Sequence, residues 1–363
     1  MATVVGVRML TWQSGHAGQP ARGRLAALVV ALLVLLGSLV GCRASAAPGG
    51  AATPAPTPRP LALPAMLSGY HLVVSDLATG DVAELGIRTY HAARSVHGLG
   101  LSNDGRTLYV TDIAGGALLA YPVAGEALGT PRRVAVGIQP VHMVQTLDGQ
   151  AIYVTNFGES SVSVINTTTW QASATIQTPA NPHGIALAPD GRFIYVACVN
   201  GGAIAIIDTQ TELLAGQITL PTGAHPYSVA LSRDGRYLYA PDNFAARLFT
   251  IDTTTRQVVS ETPIGLRAAL MARSSDGATL YVTNGASGTV SVLDLAADPA
   301  HPRVRATVAV GRYPHGLALT PDGRYLVVAN NLGDTLSVIA TASEQVVATI
   351  AGERYPNDVI ALP

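Results

Sequence analysis

Three histidines stand at one place in a repeated phrase. His97, His183 and His315 each precede a glycine, and each lies eight residues before the glycine of an Asp-Gly pair. Other copies put Val141, Tyr227 and Ala269 there, and Asn357 holds the place near the C-terminus. Imidazole suits zinc, copper or iron, so the set raises transition-metal binding. It equally suits hydrogen bonds between neighbouring repeats. His142 falls one residue out of register, and on an alternating strand one residue reverses the side chain. It is therefore left out of the set. Asp358 is the one carboxylate close by. Ligands spread over several repeats are expected to lie too far apart for one ion. The sequence thus assigns no metal and no cofactor, and His97, His183 and His315 remain the candidates should one bind.

The elements that position these residues follow from the repeat. Asp-Gly recurs at 104–105, 148–149, 190–191, 234–235, 276–277 and 322–323. Four residues after each glycine come Tyr109, Tyr153, Tyr195, Tyr239, Tyr281 and Val327. Asp-Gly between apolar runs is a strong hairpin signal. Each unit reads as four short strands: A before Asp-Gly, B at the tyrosine, C next and D last. Four-strand units of this length mark a β-propeller, an all-β fold. Six units are complete. The C-terminal stretch 356–363 matches strand A, and 71–87 is read as strands C and D, with 61–66 as a weak strand B. Joined, these pieces make a seventh blade that closes the ring and removes its open edges.

TLYVTD (107–112), IYVTNFGESSVSVIN (152–166) and LYVTNGASGTVSVLD (280–294) resemble the YVTN repeat of bacterial and archaeal surface propellers. The resemblance covers 69–363 and implies the seven-bladed fold. It leaves function open, because that family spans surface-layer and periplasmic binding proteins. Similar propellers include lactonases and the copper-binding domain of nitrous oxide reductase.

Alternating strand direction puts the A–B and C–D turns on one face and the B–C and D–A loops on the other. The Asp-Gly aspartates are expected to be turn residues. The opposite face is expected to be the functional one. Its candidate ligand-binding residues are His97, His183, Tyr227, His315 and Asn357, with Asn156 and Phe157 from a B–C loop. The D–A loops add Arg312, Tyr313, Arg354 and Tyr355. Arginine beside tyrosine and phenylalanine can read carboxylate or phosphate.

Residues 25–41 form an unbroken apolar and small-residue run, and Leu39-Val40-Gly41-Cys42 resembles the lipobox of bacterial lipoproteins. That resemblance implies a signal peptide over 1–41 and lipid on Cys42. Residues 42–68 are rich in Pro and Ala and are expected to be a tether. The propeller would then sit outside the cytoplasm, at the cell surface or in the periplasm, held to the membrane through Cys42.

Composition excludes several classes. The chain of 363 residues has no lysine, so Schiff-base chemistry is out. Net charge is −1 and only 12% of residues are charged, so no basic surface points to nucleic acid. The expected function is a lipid-anchored binding module, its ligand an unidentified protein, glycan or small molecule. The alternatives are a lactonase-like hydrolase and a metal- or redox-handling propeller using the histidines.

Overall fold

A computed structural model describes residues 63–124, 127–352 and 354–362. The signal, Cys42 and most of the tether lie outside them. Alternating β-branched and small residues form 29 strands in seven sheets among the described residues. The chain is therefore a seven-bladed propeller of antiparallel blades. One blade shows the logic. Its strands A to D are Pro182–Leu187, Phe193–Cys198, Ala203–Asp208 and Leu213–Thr219, paired in that order. Strand C is buried at every position, whereas strand D reads exposed at five of seven. Inner strands are covered by neighbouring blades on both faces, so their sequence is continuously apolar.

The blades pack through the repeated tyrosine. Tyr195 lies with Ile204, Leu238 and Phe249 between two successive blades. Tyr153 meets Ile194 and Val196, and Tyr239 meets Leu280 and Val282, in the same way. The hydroxyl two residues later adds a polar tie. Thr155 donates to the carbonyl of His183 at 2.7 Å and Thr283 to that of His315 at 2.7 Å. The YVTN threonine thus anchors the backbone of the histidine position one blade on.

The Asp-Gly aspartates are turn residues, as expected. Asp104, Asp148, Asp234, Asp276 and Asp322 each accept a hydrogen bond from a Ser or Thr two residues earlier. The glycines that follow them have φ between +71° and +81°, a region open to glycine without steric cost.

The closing blade joins both chain ends, but its strand assignment differs from the sequence expectation. Pro356–Leu362 is strand A, and it pairs with His71–Asp76, from His71 opposite Leu362 to Asp76 opposite Pro356. His71–Asp76 is therefore strand B, and Asp81–Glu84 and Arg88–His91 are C and D. No strand B forms before it among the described residues, since Ala65–Leu67 is a 3-10 turn. The error has a physical source. Asp76 accepts the N–H groups of Ala78 and Thr79, as Asp208 accepts those of Gln210 and Thr211. The same aspartate turn ends strand B here and strand C elsewhere, so it could not tell the two apart.

Candidate metal centre

Every inner strand enters the central channel through the same distortion. In strand A of the blade above, Pro182 pairs with Cys198, yet Ile185 pairs with Val196. One extra residue sits on strand A. The same shift occurs at Val96/Leu99, Ala268/Met271 and Pro314/Leu317, and opposite Val154/Asn156. This is a β-bulge, and it breaks the alternation of side chains.

The bulge brings His142 back. The sequence reading excluded it by alternation, but two successive residues both turn to the channel here. His142 occupies the place held by Gly98, Gly184 and Gly316 in other blades. Its ring lies 5.1 Å from that of His97 and 4.9 Å from that of His183, centroid to centroid. His183 meets Tyr227 at 3.9 Å, Tyr227 meets His315 at 5.9 Å, and His315 meets His97 at 5.8 Å. Five rings from different blades thus close on one another across the axis. The expected separation of the histidines is corrected: the channel is narrow enough for them to touch.

Hydrogen bonds divide the ring in two. His315 Nδ1 faces the carbonyl of Asn357 at 3.0 Å, and a carbonyl can only accept, so Nδ1 carries the proton. Its Nε2 then accepts from the Tyr227 hydroxyl at 3.2 Å. Asn357 donates to the carbonyl of His97 at 2.9 Å. Those side chains are spent. The other three are held less firmly: His97 and His183 lie against the backbone carbonyls of Val141 and Tyr227, but their Nδ1 atoms fall outside hydrogen-bond geometry. His97 Nδ1, His142 Nε2 and His183 Nδ1 are buried and have no hydrogen-bond partner. Each of these residues offers a ring nitrogen, and the three nitrogens lie within 4.8 Å of one another.

The electrostatics keep them neutral. Burial, reinforced by the neighbouring imidazoles, holds His97 and His183 well below the usual histidine value. Burial lowers His142 to about 3 and His315 to about 4. Neutral imidazole is the metal-binding form. Asp358 stands at the same bulge position as His142. Burial raises it to about 6, against the N–H groups of Leu99 and Val359 that its oxygens accept.

The remaining candidates lie around and beyond the ring. Phe157 is buried and packs edge-on against His183 at 5.9 Å. Asn156 is fully buried: it accepts the N–H of Gly137 and donates to Ser161 and Ser163, so it clips the preceding loop. Tyr313 and Tyr355 take positive φ, 55° and 49°, as Gln139, Asn181 and Arg267 do just before other inner strands. They are turn positions. Arg312 and Arg354 are exposed, outside the ring. Cys198 is buried, and burial pushes its thiol up to about 12.

The open end of the channel is also opposite to expectation. In all six long inner strands the first two residues are buried, and residues five and six are part-exposed. At the histidine end His97, His183 and His315 are buried, and Val141, Phe157 and Val199 form an apolar cluster there with Ile113 and Tyr227 against it. Below the rings lies a cavity of about 420 Å³, lined by Leu99, Leu101, Met143, Met271 and Leu319 among others. It opens on the Asp-Gly side. Sequence spacing gave no sign of this, because sealing depends on loop residues outside the repeat register.

A family model described as the cytochrome D1 heme domain matches residues 147–360. No curated protein matches. Among solved structures, the periplasmic gluconolactonase of Pseudomonas aeruginosa is similar, with TM-score 0.70 and 19% identity over 81% of this chain and 99% of its own. A putative 6-phosphogluconolactonase of Bacteroides fragilis gives 0.71 and 14%, over 83% and 100%. Hydrazine synthase of Kuenenia stuttgartiensis gives 0.63 and 22%, over 72% and 88%. At these identities the likeness concerns the fold.

Proposed function

The chain belongs to the cytochrome D1 heme domain family, and from that premise we propose that it is a metal-handling propeller. Its centre would be one first-row transition-metal ion on His97, His142 and His183. The haem that the family name carries does not fit here. An axial histidine must face an open slot for the macrocycle, whereas these imidazoles are buried against one another and Val141, Phe157 and Val199 pack in a cluster at the same end.

One observation supports the reading above all: His97, His142 and His183 each offer a ring nitrogen within 4.8 Å of the other two, and each also has a buried ring nitrogen without a hydrogen-bond partner. Each unsatisfied buried polar group costs about 1–3 kcal/mol, a cost that an ion bound by these imidazoles would remove. Metal–imidazole bonds of about 2.0–2.1 Å would draw the rings inward by roughly an ångström. Three histidines leave a fourth position for water or a small ligand, and imidazole suits zinc, copper, nickel or iron. The P. aeruginosa relative is a gluconolactonase by name, so lactone hydrolysis is the reaction to assay first. The structurally similar periplasmic gluconolactonase and the expected lipid on Cys42 also lead us to place the domain outside the cytoplasm.

Metal analysis of untagged protein, followed by titration of the metal-free protein with Co²⁺ and Zn²⁺, tests the site. One equivalent is expected to bind. His142→Leu copies the Leu270 of another blade at that position and should weaken binding more than ~100-fold, beyond the usual effect of an outer-shell change. His301→Ala, at an exposed histidine beside Asp298, should change nothing. Equal binding by wild type and His142→Leu would refute the assignment.

A further inference from the structure

Asp358 is a buried charge without a counter-ion. It is 7% exposed and lines the cavity below the histidines. Its Oδ2 accepts the N–H of Leu99 at 3.0 Å and its Oδ1 that of Val359 at 2.9 Å, and each oxygen keeps a further lone pair. Burial raises the carboxyl to about 6, which leaves it ionised at neutral pH. A carboxylate this deep is ordinarily paired with a cation. Among the described residues lining the cavity none supplies one: the chain has no lysine, no arginine reaches the lining, and burial keeps His142 neutral. Ser228 donates to the carbonyl of Ala269 at 2.6 Å, which leaves its oxygen only to accept. The blades on either side of Asp358 place glycine at the same bulge position, Gly98 and Gly316. A Cβ on Gly316 would stand 2.8 Å from Asp358 Oδ1, so a side chain there would cover the carboxyl. Glycine leaves it open to the channel.

We propose that this cavity binds a small organic cation, a primary alkylammonium, which enters from the Asp-Gly face and sets its N–H donors against the Asp358 carboxylate. Charge selects a cation, because an anion or a neutral molecule would leave the carboxylate uncompensated. Volume selects an organic one. The cavity holds about 420 Å³, at the low end of the range of about 300–1,000 Å³ for ligand pockets. A bare calcium or magnesium ion instead collects about six or more oxygens at roughly 2.0–2.6 Å, and Asp358 is the one carboxylate in the lining. The walls select a primary ammonium. Quaternary ammonium is held by aromatic faces, and no Phe, Tyr or Trp lines the cavity. A primary ammonium makes charge-assisted hydrogen bonds to the carboxylate's remaining lone pairs. Its short carbon chain lies against Leu101, Met143, Met271 and Leu319 and leaves water there. The site does not rest on the metal reading.

The test uses metal-free full-length protein, because amines also ligate metals and the two sites must be judged apart. Met143 and Met271 line the cavity, while Met66 is 38% exposed elsewhere. Methyl-labelled methionine gives two reporters and an internal reference, assigned by Met143→Leu and Met271→Leu. Titration with butylammonium, at constant ionic strength in potassium chloride, should move the Met143 and Met271 methyl signals saturably and leave Met66 still. Butanol, of the same length without the charge, should bind at least tenfold more weakly, and so should butyltrimethylammonium, which has the charge without the donors. Asp358→Asn should cost butylammonium at least tenfold, whereas Asp190→Asn, at a turn acid that accepts the N–H of Arg192, should cost nothing. Should Asp358→Asn not fold, Leu101→Trp and Leu319→Trp, which fill the cavity from two blades, take its place and should each weaken binding at least tenfold. The proposal is overturned if no saturable shift appears in potassium chloride, if butanol or butyltrimethylammonium binds as well as butylammonium, or if a folded Asp358→Asn binds like wild type. Butylammonium binding by a protein that takes up no metal would sink the metal centre and leave this site standing.

Discussion

Ending the chain at Gly352 is expected to abolish the fold. The deletion removes Pro356–Leu362, the innermost strand of the closing blade. That strand pairs with His71–Asp76, and without it both the blade and the ring stand open. Val359 and Leu362 are 1% and 4% exposed, and burying such side chains stabilises by about 1.5–3 kcal/mol each. Two polar ties between blades also go: Asn357 to the carbonyl of His97, and Asp358 to the N–H of Leu99. Leu72, Val74 and Val327 lose their common neighbour. Against a net stability of about 5–15 kcal/mol, these losses together exceed what the ring can absorb. The truncated protein should show no cooperative thermal transition and no near-ultraviolet circular dichroism. A synthetic peptide of residues 354–363 added in trans should restore part of both. A cooperative transition within a few degrees of the full chain would mean that the ring closes without its C-terminal strand.

The fold was legible because its signals are local and repeated. Asp-Gly followed by tyrosine at constant spacing fixes a hairpin and an inter-blade contact at once, and six copies leave little choice of architecture. Two features escaped for related reasons. The aspartate turn of Asp76 is chemically the same as that of Asp208, so the strand order of the closing blade could not be read from it. His142 escaped because alternation assumes a regular strand, and a bulge is a property of pairing, not of composition. Gly98, Gly184 and Gly316 at that position were the available clue. A Cβ on Gly98 would sit 2.2 Å from the carbonyl of Val141, so glycine recurs where backbones crowd, and crowding of inner strands is what brings the histidines together. Whether a channel is open or sealed depends on loop residues such as Phe157 and Val199, which follow no repeat.

The folded protein is expected to be sharply sensitive to mild acid, through the same histidines. An unfolded histidine titrates near 6.5. In the fold, His315 falls to about 4, His142 to about 3, and His97 and His183 lie well below the usual value, all chiefly through burial. These folded values are depressed, so their stabilisation is present above pH 6.5 and is lost as pH falls towards the folded values. In that window the unfolded chain binds protons that the native chain refuses. Each histidine then costs about 1.4 kcal/mol per pH unit. Asp358 works the other way. Its folded value is raised to about 6, so protonation favours the fold as pH drops from about 6 to 3.8. One carboxyl offsets one histidine, and about three remain uncompensated, or roughly 4 kcal/mol per pH unit. Denaturant titrations at pH 7, 6 and 5 should therefore give a steep fall in unfolding free energy. The measured slope should correspond to about three protons taken up on unfolding. His142→Leu removes one of them and should flatten the slope by about a third, while keeping the fold at pH 7. A saturating metal ion should add stability at pH 7 by binding the native state alone, and it should lose that effect in acid as the ligands protonate. Equal stability at pH 7 and pH 5 would mean that the imidazoles are solvated in the native state, contrary to the sealed ring.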